Sequence, residues 1–401
     1  MEEKIKHLLD YCLGMVHKED GKTLYMKYLN EIQSITPQEL VLVQYEQLKM
    51  GLSPKELLSV VDKLINVFYK ALSNYPWEKP ERESFLGDMM AENAGLLLLL
   101  EGFKPKIKTH DLIDLLPELR KLVEGSKEYN AHLLKIENIL FPMMEKKSER
   151  YDGLKIMWSL HDELRALWKT LDEMLGDAGR GAPEGYEEAA LSTEIGRFYF
   201  LLYGLVQKQE LILFPAAAQL LDGEAFRSMR LQSLEYAFSY IDTPTIEGEV
   251  MVHEVPHFSA GKQSDAVEML KFATGHMDFE QLGLLLDHLP VDMTLVDEFD
   301  KVAFFSRPKD RIFPRSVAVI GRDVRNCHPP ESVHVVEDIL KAFKEGTKSE
   351  ASFWIQMRGM FIHIQYFALR NTNGEYRGTL EVSQEISGLR ALEGQRRLLE
   401  W

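Results

Sequence analysis

The feature that most limits the fold is a change of hydrophobic period along the chain. Through roughly the first 230 residues, apolar side chains recur at the 3, 4 and 7 spacing of a buried helix face, whereas beyond about residue 290 they alternate as on a strand. A chain of this kind folds as helices first and an antiparallel sheet afterwards, which is an α+β multidomain class. Ile5, Leu8, Leu9, Cys12 and Met15 lie on the first helical stripe. Thr36-Pro37-Gln38-Glu39 predicts a helix start, with Thr as N-cap, Pro at the first helical position and Glu closing a capping box. Ser53-Pro54-Lys55-Glu56 repeats the signal ahead of Leu57, Leu58, Val61 and Leu64. The pair predicts a short helix and then a longer one ending near Asn74-Tyr75-Pro76, so residues 1–77 read as a small helical domain.

Residues 78–230 continue the helical pattern and contain an echo. Glu137-Asn138-Ile139-Leu140-Phe141-Pro142 recurs as Glu210-Leu211-Ile212-Leu213-Phe214-Pro215. The proline after each apolar run predicts the end of a helix. Two copies of a helix pair make a four-helix bundle, with Gly176 to Gly185 as a loop between long helices. Periodicity is lost over 231–275. Thr243-Pro244-Thr245 and Val250 to Pro256 look extended, and His257 to Asp265 reads as a linker.

Residues 276–401 have strand character. Leu295-Val296-Asp297 leads through Glu298-Phe299-Asp300 to Val302-Ala303-Phe304-Phe305, the pattern of a hairpin. Val333 to Phe343 predicts a helix. Phe353, Ile355 and Met357 alternate with Trp354, Gln356 and Arg358; Phe361 to Leu369 is a second run, Asn373-Gly374 a turn, and Leu380 and Val382 belong to a third strand. The order is two strands, short helices, a longer helix and three antiparallel strands. Gly388 to Trp401 predicts a closing helix whose Leu389, Leu392 and Leu399 face a partner or a second copy of the chain.

Composition narrows the function classes. At roughly 100–200 residues per domain, 401 residues predict two or three domains. The formal net charge of −16 argues against nucleic-acid binding, which needs a basic face. The longest apolar run, Leu96 to Leu100, falls far short of the ~20 residues that span a bilayer. Met1-Glu2-Glu3-Lys4 shows no leader, and Cys12 and Cys327 make no disulfide framework, so a cytoplasmic location is expected. There is no Gly-x-Ser-x-Gly, no phosphate-cradling glycine loop and no His-Glu-x-x-His, so no enzyme is expected. The chain carries no kinase, cyclase or helix-turn-helix pattern.

The strand order of the last third, together with Leu289 to Asp297, Ala318 to Arg322, Asn326-Cys327-His328-Pro329-Pro330 and Phe353-Trp354-Ile355-Gln356, resembles a PAS subfamily. In that subfamily a hemerythrin-like, HHE cation-binding four-helix domain precedes the PAS domain, and a short helical domain of unknown function precedes both. The resemblance covers nearly the whole chain. It implies a sensing or signalling role and a di-iron site held by His and carboxylate ligands, with His-x-x-x-Glu on the second and fourth bundle helices. Anchored on the two Leu-Phe-Pro runs, the second helix keeps His132 but has Ile136 four residues on. The third keeps His161; the fourth has Leu205 and Gln209, and the first Gly87. Glu137 and Glu210 lie one residue further round, about 100° away in an α-helix. Two of six implied ligands remain, and two imidazoles rarely hold a di-iron centre. The expectation is a degenerate bundle without di-iron, with His132 and His161 as its remaining candidate metal ligands.

A PAS sheet curls round a cavity for haem, flavin or a small metabolite, and six residues are candidates for ligand binding. Asn326-Cys327 resembles the Asn-Cys pair of flavin photoreceptors, but His328-Pro329-Pro330-Glu331 departs from the Arg-Phe-Leu-Gln that completes that motif. His328 is a site residue or a brace for its rigid loop. His334 opens the longer helix, where haem-binding PAS domains supply a ligand; a solvent-facing helix start is the other reading. Trp354 and His363 lie on strands, His363 either on a polar inner face or as an ordinary packed residue. The expected function is a cytoplasmic sensor or adaptor binding a small ligand or protein partner. The rival is a redox or gas-responsive metalloprotein using bundle iron or PAS haem.

Overall fold

The computed structural model describes residues 3–107, 112–176, 187–246, 269–272 and 274–395. Helical residues up to Thr245 form one compact unit; Ile246–Cys327 with Ser332–Trp401 form another.

The first unit opens with α1 (Glu3–Val16), α2 (Gly21–Lys27), α3 (Leu29–Gln33), α4 (Pro37–Lys49) and α5 (Pro54–Ser73). Both predicted capping boxes form. Glu39 N–H donates to Thr36 Oγ1 and Thr36 N–H to Glu39 Oε2; Ser53 and Glu56 do the same ahead of α5. Helices α6 (Phe85–Ile107), α7 (Leu116–Ser126), α8 (Tyr129–Lys135), α9 (Phe141–Lys147), α10 (Lys155–Leu175), α11 (Glu188–Lys208), α12 (Phe214–Leu220) and α13 (Gly223–Ser233) come next. Helix α6 packs on α7 and α8, α10 on α7, and α11 on α10 and α6, which closes a four-helix ring. A core of Leu96, Leu119, Leu133, Leu164, Phe198 and Leu202 fills it.

The two Leu-Phe-Pro runs do not end helices as expected. A five-residue π turn stands before each proline, Ile136–Leu140 between α8 and α9 and Gln209–Leu213 between α11 and α12. Phe141 N–H bonds to Ile136 O and Phe214 N–H to Gln209 O, five residues back. A proline inside an α-helix crowds the carbonyl four residues back and gives it no donor. The wide turn relieves that conflict, and the helix runs on through Pro142 and Pro215.

The two π turns are also where the N-terminal helices dock. Ile5, Leu8, Val43, Ile65 and Phe68 share one core with Ile136, Leu140, Phe141, Leu213 and Phe214, and Trp77 packs against it. Both sides of the boundary expected at residue 77 thus lie on a single core.

After the undescribed stretch, the second unit has a hairpin of β1 (Met269–Phe272) and β2 (Gly275–Asp278) and then α14 (Phe279–His288), where a linker through 275 is expected. An Asp278–Gln281 capping box starts α14, and none of its residues is buried. The remainder is β3 (Asp292–Asp297), β4 (Val302–Phe305), 3-10 turns at Val317–Val319 and Val324–Cys327, α15 (Val333–Lys344), β5 (Glu350–Met357), β6 (Met360–Arg370) and β7 (Tyr376–Glu385). The sheet order is β4-β3-β7-β6-β5, antiparallel throughout. Gly374, at φ 81°, turns β6 into β7. Among the described residues the predicted closing helix is α16 (Ser387–Arg390); Ala391 caps it and Gly394 turns left-handed at φ 66°. Val250 to Asp265 and Leu399 lie outside the described residues. Among the described residues no helix is long and apolar enough to cross a membrane.

The shared core makes a prediction. Phe141→Ala removes a side chain only 1% exposed and should lower stability by about 3–5 kcal/mol. Chemical denaturation should show the N-terminal helices and the bundle lost in one shifted transition. Separate transitions for residues 3–73 and the bundle would contradict the shared core.

Candidate functional site

The buried polar cluster of the first unit lies inside the four-helix ring. Glu92 comes from α6, His132 and Lys135 from α8, Glu137 and Gln209 from the two π turns, and His161 and Arg165 from α10. Glu92, His132, Lys135, His161 and Gln209 have no exposed surface, and Glu137 has 2%. His132 and Lys135 share a face because they are three residues apart on one helix.

Two ion-paired groups result. Glu92 Oε2 accepts from His132 Nδ1 at 2.8 Å, and Glu92 Oε1 accepts from Lys135 Nζ at 2.5 Å and from Ser239 N–H at 2.7 Å. His132 Nε2 lies 2.9 Å from Gln209 Oε1, and Tyr129 stacks on the imidazole while its hydroxyl donates to Asn93 Oδ1 at 2.7 Å. In the second group Glu137 Oε1 accepts from His161 Nδ1 at 2.8 Å, and Arg165 donates to Glu137 Oε2 at 3.0 Å. Burial alone would raise the Glu92 carboxyl, but His132 and Lys135 hold it below the ordinary carboxylate range. Burial pulls the His161 imidazole down against Glu137, which favours its neutral form. Its Nδ1–H then serves Glu137, and Nε2 is buried with no hydrogen-bond partner among the described residues.

The ligand positions expected from the resemblance need correction. Glu137 is not turned aside. The π turn inserts one extra residue, so the fifth residue after His132 faces inward as the fourth would in an α-helix. Glu210, by contrast, is half-buried and accepts from Asn93 Nδ2 at 3.5 Å; Gln209 is the fully buried residue there. On α6 the inward residue is Glu92, not Gly87. Gly87 lies in the first turn, where an added Cβ would come 2.1 Å from Glu81 O. Leu205 is buried in the apolar core.

Do these residues fit a di-iron pair? Lys135 already sits on Glu92 and Arg165 on Glu137, so two carboxylates face two fixed cations. Two divalent ions added to that balanced, buried set would meet a large desolvation and repulsion penalty. Among the described residues no group of three or more His, Cys, Asp or Glu is placed to hold a metal ion. The donor set does not fit the pair that the resemblance implies. Lys135 gave the decisive signal in sequence, a cation one turn after the expected ligand His132, but Glu92 is joined to it only by long-range packing.

In the second unit the six candidates are not brought together. His334 is exposed on α15 and Trp354 is 65% exposed on β5. Trp354 faces His363, and His363 faces Gln384, so all three share the face of the sheet opposite buried Ile362 and Ile364. Asn326 is buried in a 3-10 turn, with its N–H on Asp323 O, and Cys327 Sγ lies 3.8 Å from the same carbonyl. His328 is half-buried and lies outside the residues that form this unit. The inner sheet face instead carries Asp292, Thr294, Glu381 and Ser383, all buried. Asp292 accepts the Ile312 and Phe313 N–H groups at 2.9 and 3.0 Å, and Arg315 lies 3.6 Å from Glu381. Ser383 Oγ is buried with no hydrogen-bond partner among the described residues. The alternation of Thr379, Glu381 and Ser383 along β7 was the available signal for this polar face.

Removing one member of a buried pair is the direct check on the first group. Lys135→Met strands Glu92 in the interior and should lower stability by about 3–5 kcal/mol in urea, with Glu92→Gln added recovering part of the loss. Equal loss in the single and double variants would contradict the pairing. For pH, burial raises Asp162 from its usual value of 3.8 to about 6, against the pull of Arg165. The folded state therefore binds this proton more tightly, and the associated stability is full below the usual value and lost as pH rises through 6. Stability measured relative to Asp162→Asn should fall over that window; a flat difference would refute it.

Comparison with known proteins agrees with this architecture. The hemerythrin HHE cation binding domain family matches residues 88–217, and a PAS domain family matches residues 282–387. The chain is similar to a C-terminal domain from Streptococcus mutans, with 28% identity over 32% of this chain and 100% of that one, at a TM-score of 0.31. It is also similar to a PAS domain from Colwellia psychrerythraea, with 14% identity over 27% of this chain and 97% of that one, at a TM-score of 0.22. None of the curated proteins matches. With a closed four-helix ring ahead of a five-stranded antiparallel sheet, the chain carries a hemerythrin HHE domain followed by a PAS domain.

Proposed function

We propose that this protein is a cytoplasmic sensor or signalling adaptor whose PAS domain takes a small ligand or a protein partner, and whose hemerythrin domain works without a di-iron pair. A hemerythrin domain joined to a PAS domain fits sensing or signalling in general. The observation that carries the finer reading is Lys135 Nζ seated 2.5 Å from Glu92 Oε1 at the bundle centre. With that charge supplied by the protein, the bundle serves as a scaffold and interaction surface, and ligand recognition falls to the PAS domain.

Within the PAS domain, the inner face with Asp292, Glu381 and a Ser383 hydroxyl unpaired among the described residues supports a polar small ligand better than the outer face with Trp354 and His363. A protein partner or second copy would meet α14, which exposes Leu284 and Leu285, and the outer sheet face at Trp354. The protein acts by binding, not by catalysis.

Iron content of protein expressed in iron-rich medium, with native mass spectrometry of the same sample, tests both halves. The reading expects well under one iron per chain and a co-purifying organic ligand lost on Glu381→Ala. Two irons per chain, or a haem band in the visible spectrum, would replace it with the redox or gas-responsive metalloprotein.

A further inference from the structure

From the end of α13 to Thr245 the chain has no helix, yet it is held firmly to the buried cluster. Ser239 N–H donates to Glu92 Oε1 at 2.7 Å, and the Ser239 hydroxyl donates to Glu128 O at 2.7 Å. Lys135 Nζ donates to Ala237 O at 2.9 Å and lies 3.9 Å from the centre of the Phe238 ring. Tyr240 takes φ 63°, a conformation that side chains other than glycine rarely hold. Its hydroxyl donates to Gly125 O at 3.0 Å, and its ring lies where Gly95 leaves room: a Cβ there would come 2.4 Å from Tyr240 Cβ.

We propose that Tyr236–Tyr240 is a strap latched by Glu92 and Lys135, so that the bundle centre and the chain running on past Tyr240 change state together. The same two side chains that balance each other's charge also hold the strap, one through its Ser239 N–H and the other through its Ala237 carbonyl. Weakening that pair removes both latches at once, while the helices keep their own ladders and apolar core. Coupling of this kind is reciprocal: a strap pulled from outside must also disturb Glu92, and through it His132. Residues 236–246 lead out of the bundle in sequence, which makes the strap the segment through which an event at the centre reaches the rest of the chain. This inference rests on the Glu92–Lys135 pair used above, but its test reads amide exchange and not metal, so either can fail alone.

Hydrogen exchange and NMR on the full chain test it in both directions. Glu92→Gln and Lys135→Met should speed exchange of the Ser239 amide by about tenfold or more beyond the increase that the lost overall stability brings to amides at the middle of α10. In the reverse direction Tyr240→Ala, outside the buried pair, should shift the His132 ring nitrogen resonances without altering exchange in α10. Unchanged Ser239 exchange in both centre variants overturns the latch, as does faster exchange spread evenly over every helix. An unmoved His132 in Tyr240→Ala overturns the coupling.

Discussion

A lysine ammonium with no exposed surface requires a carboxylate beside it. Lys135 has Glu92, and the rest of the bundle interior is arranged round that pair. Glu92 also accepts from His132, His132 reaches Gln209, and Gln209 begins a π turn. Arg165 plays the matching part for Glu137 and His161. The result is a polar core closed by the protein's own charges, a high-stakes network that specifies one arrangement only while each member keeps its partner.

The π turns connect this chemistry to the fold. Each lets a helix pass a proline, and the first also turns Glu137 inward to meet His161. Beyond them, Phe141 and Phe214 form the floor on which the N-terminal helices sit. A disturbance at the centre is therefore next to the core that joins the two helical parts and, through Glu92, next to the strap.

Much of this was legible in sequence where the determinants are local. Thr36 and Ser53 announce capping boxes because N-cap and N3 contacts span three residues. The hairpin from Asp292 to Phe305, the helix at Val333 and the turn at Gly374 arise from alternation and turn chemistry. The π turns are not legible in sequence because proline signals the conflict but not its resolution, and α-helical spacing alone therefore puts Glu137 off the inner face. Glu92 escaped because nothing near it in sequence says which residues of α8 it will face. In the PAS domain, Trp354 and His363 stood out by residue type, yet their register places them on the outer face. Thr294, Glu381 and Ser383 alternate along their strands, but alternation alone does not say which face is inner.

On the proposed function, fixed protein cations and not metal complete the bundle centre. Thermal unfolding with excess ferrous iron and with a chelator tests it most directly, since an ion held by the native state raises the transition temperature by mass action. The account predicts the same midpoint in both, and a gain of iron-dependent stability only when Lys135 and Arg165 are replaced by neutral side chains and Leu205 and Gln209 by His and Glu. A midpoint in the unaltered protein that rises with iron and saturates at two ions per chain would contradict it.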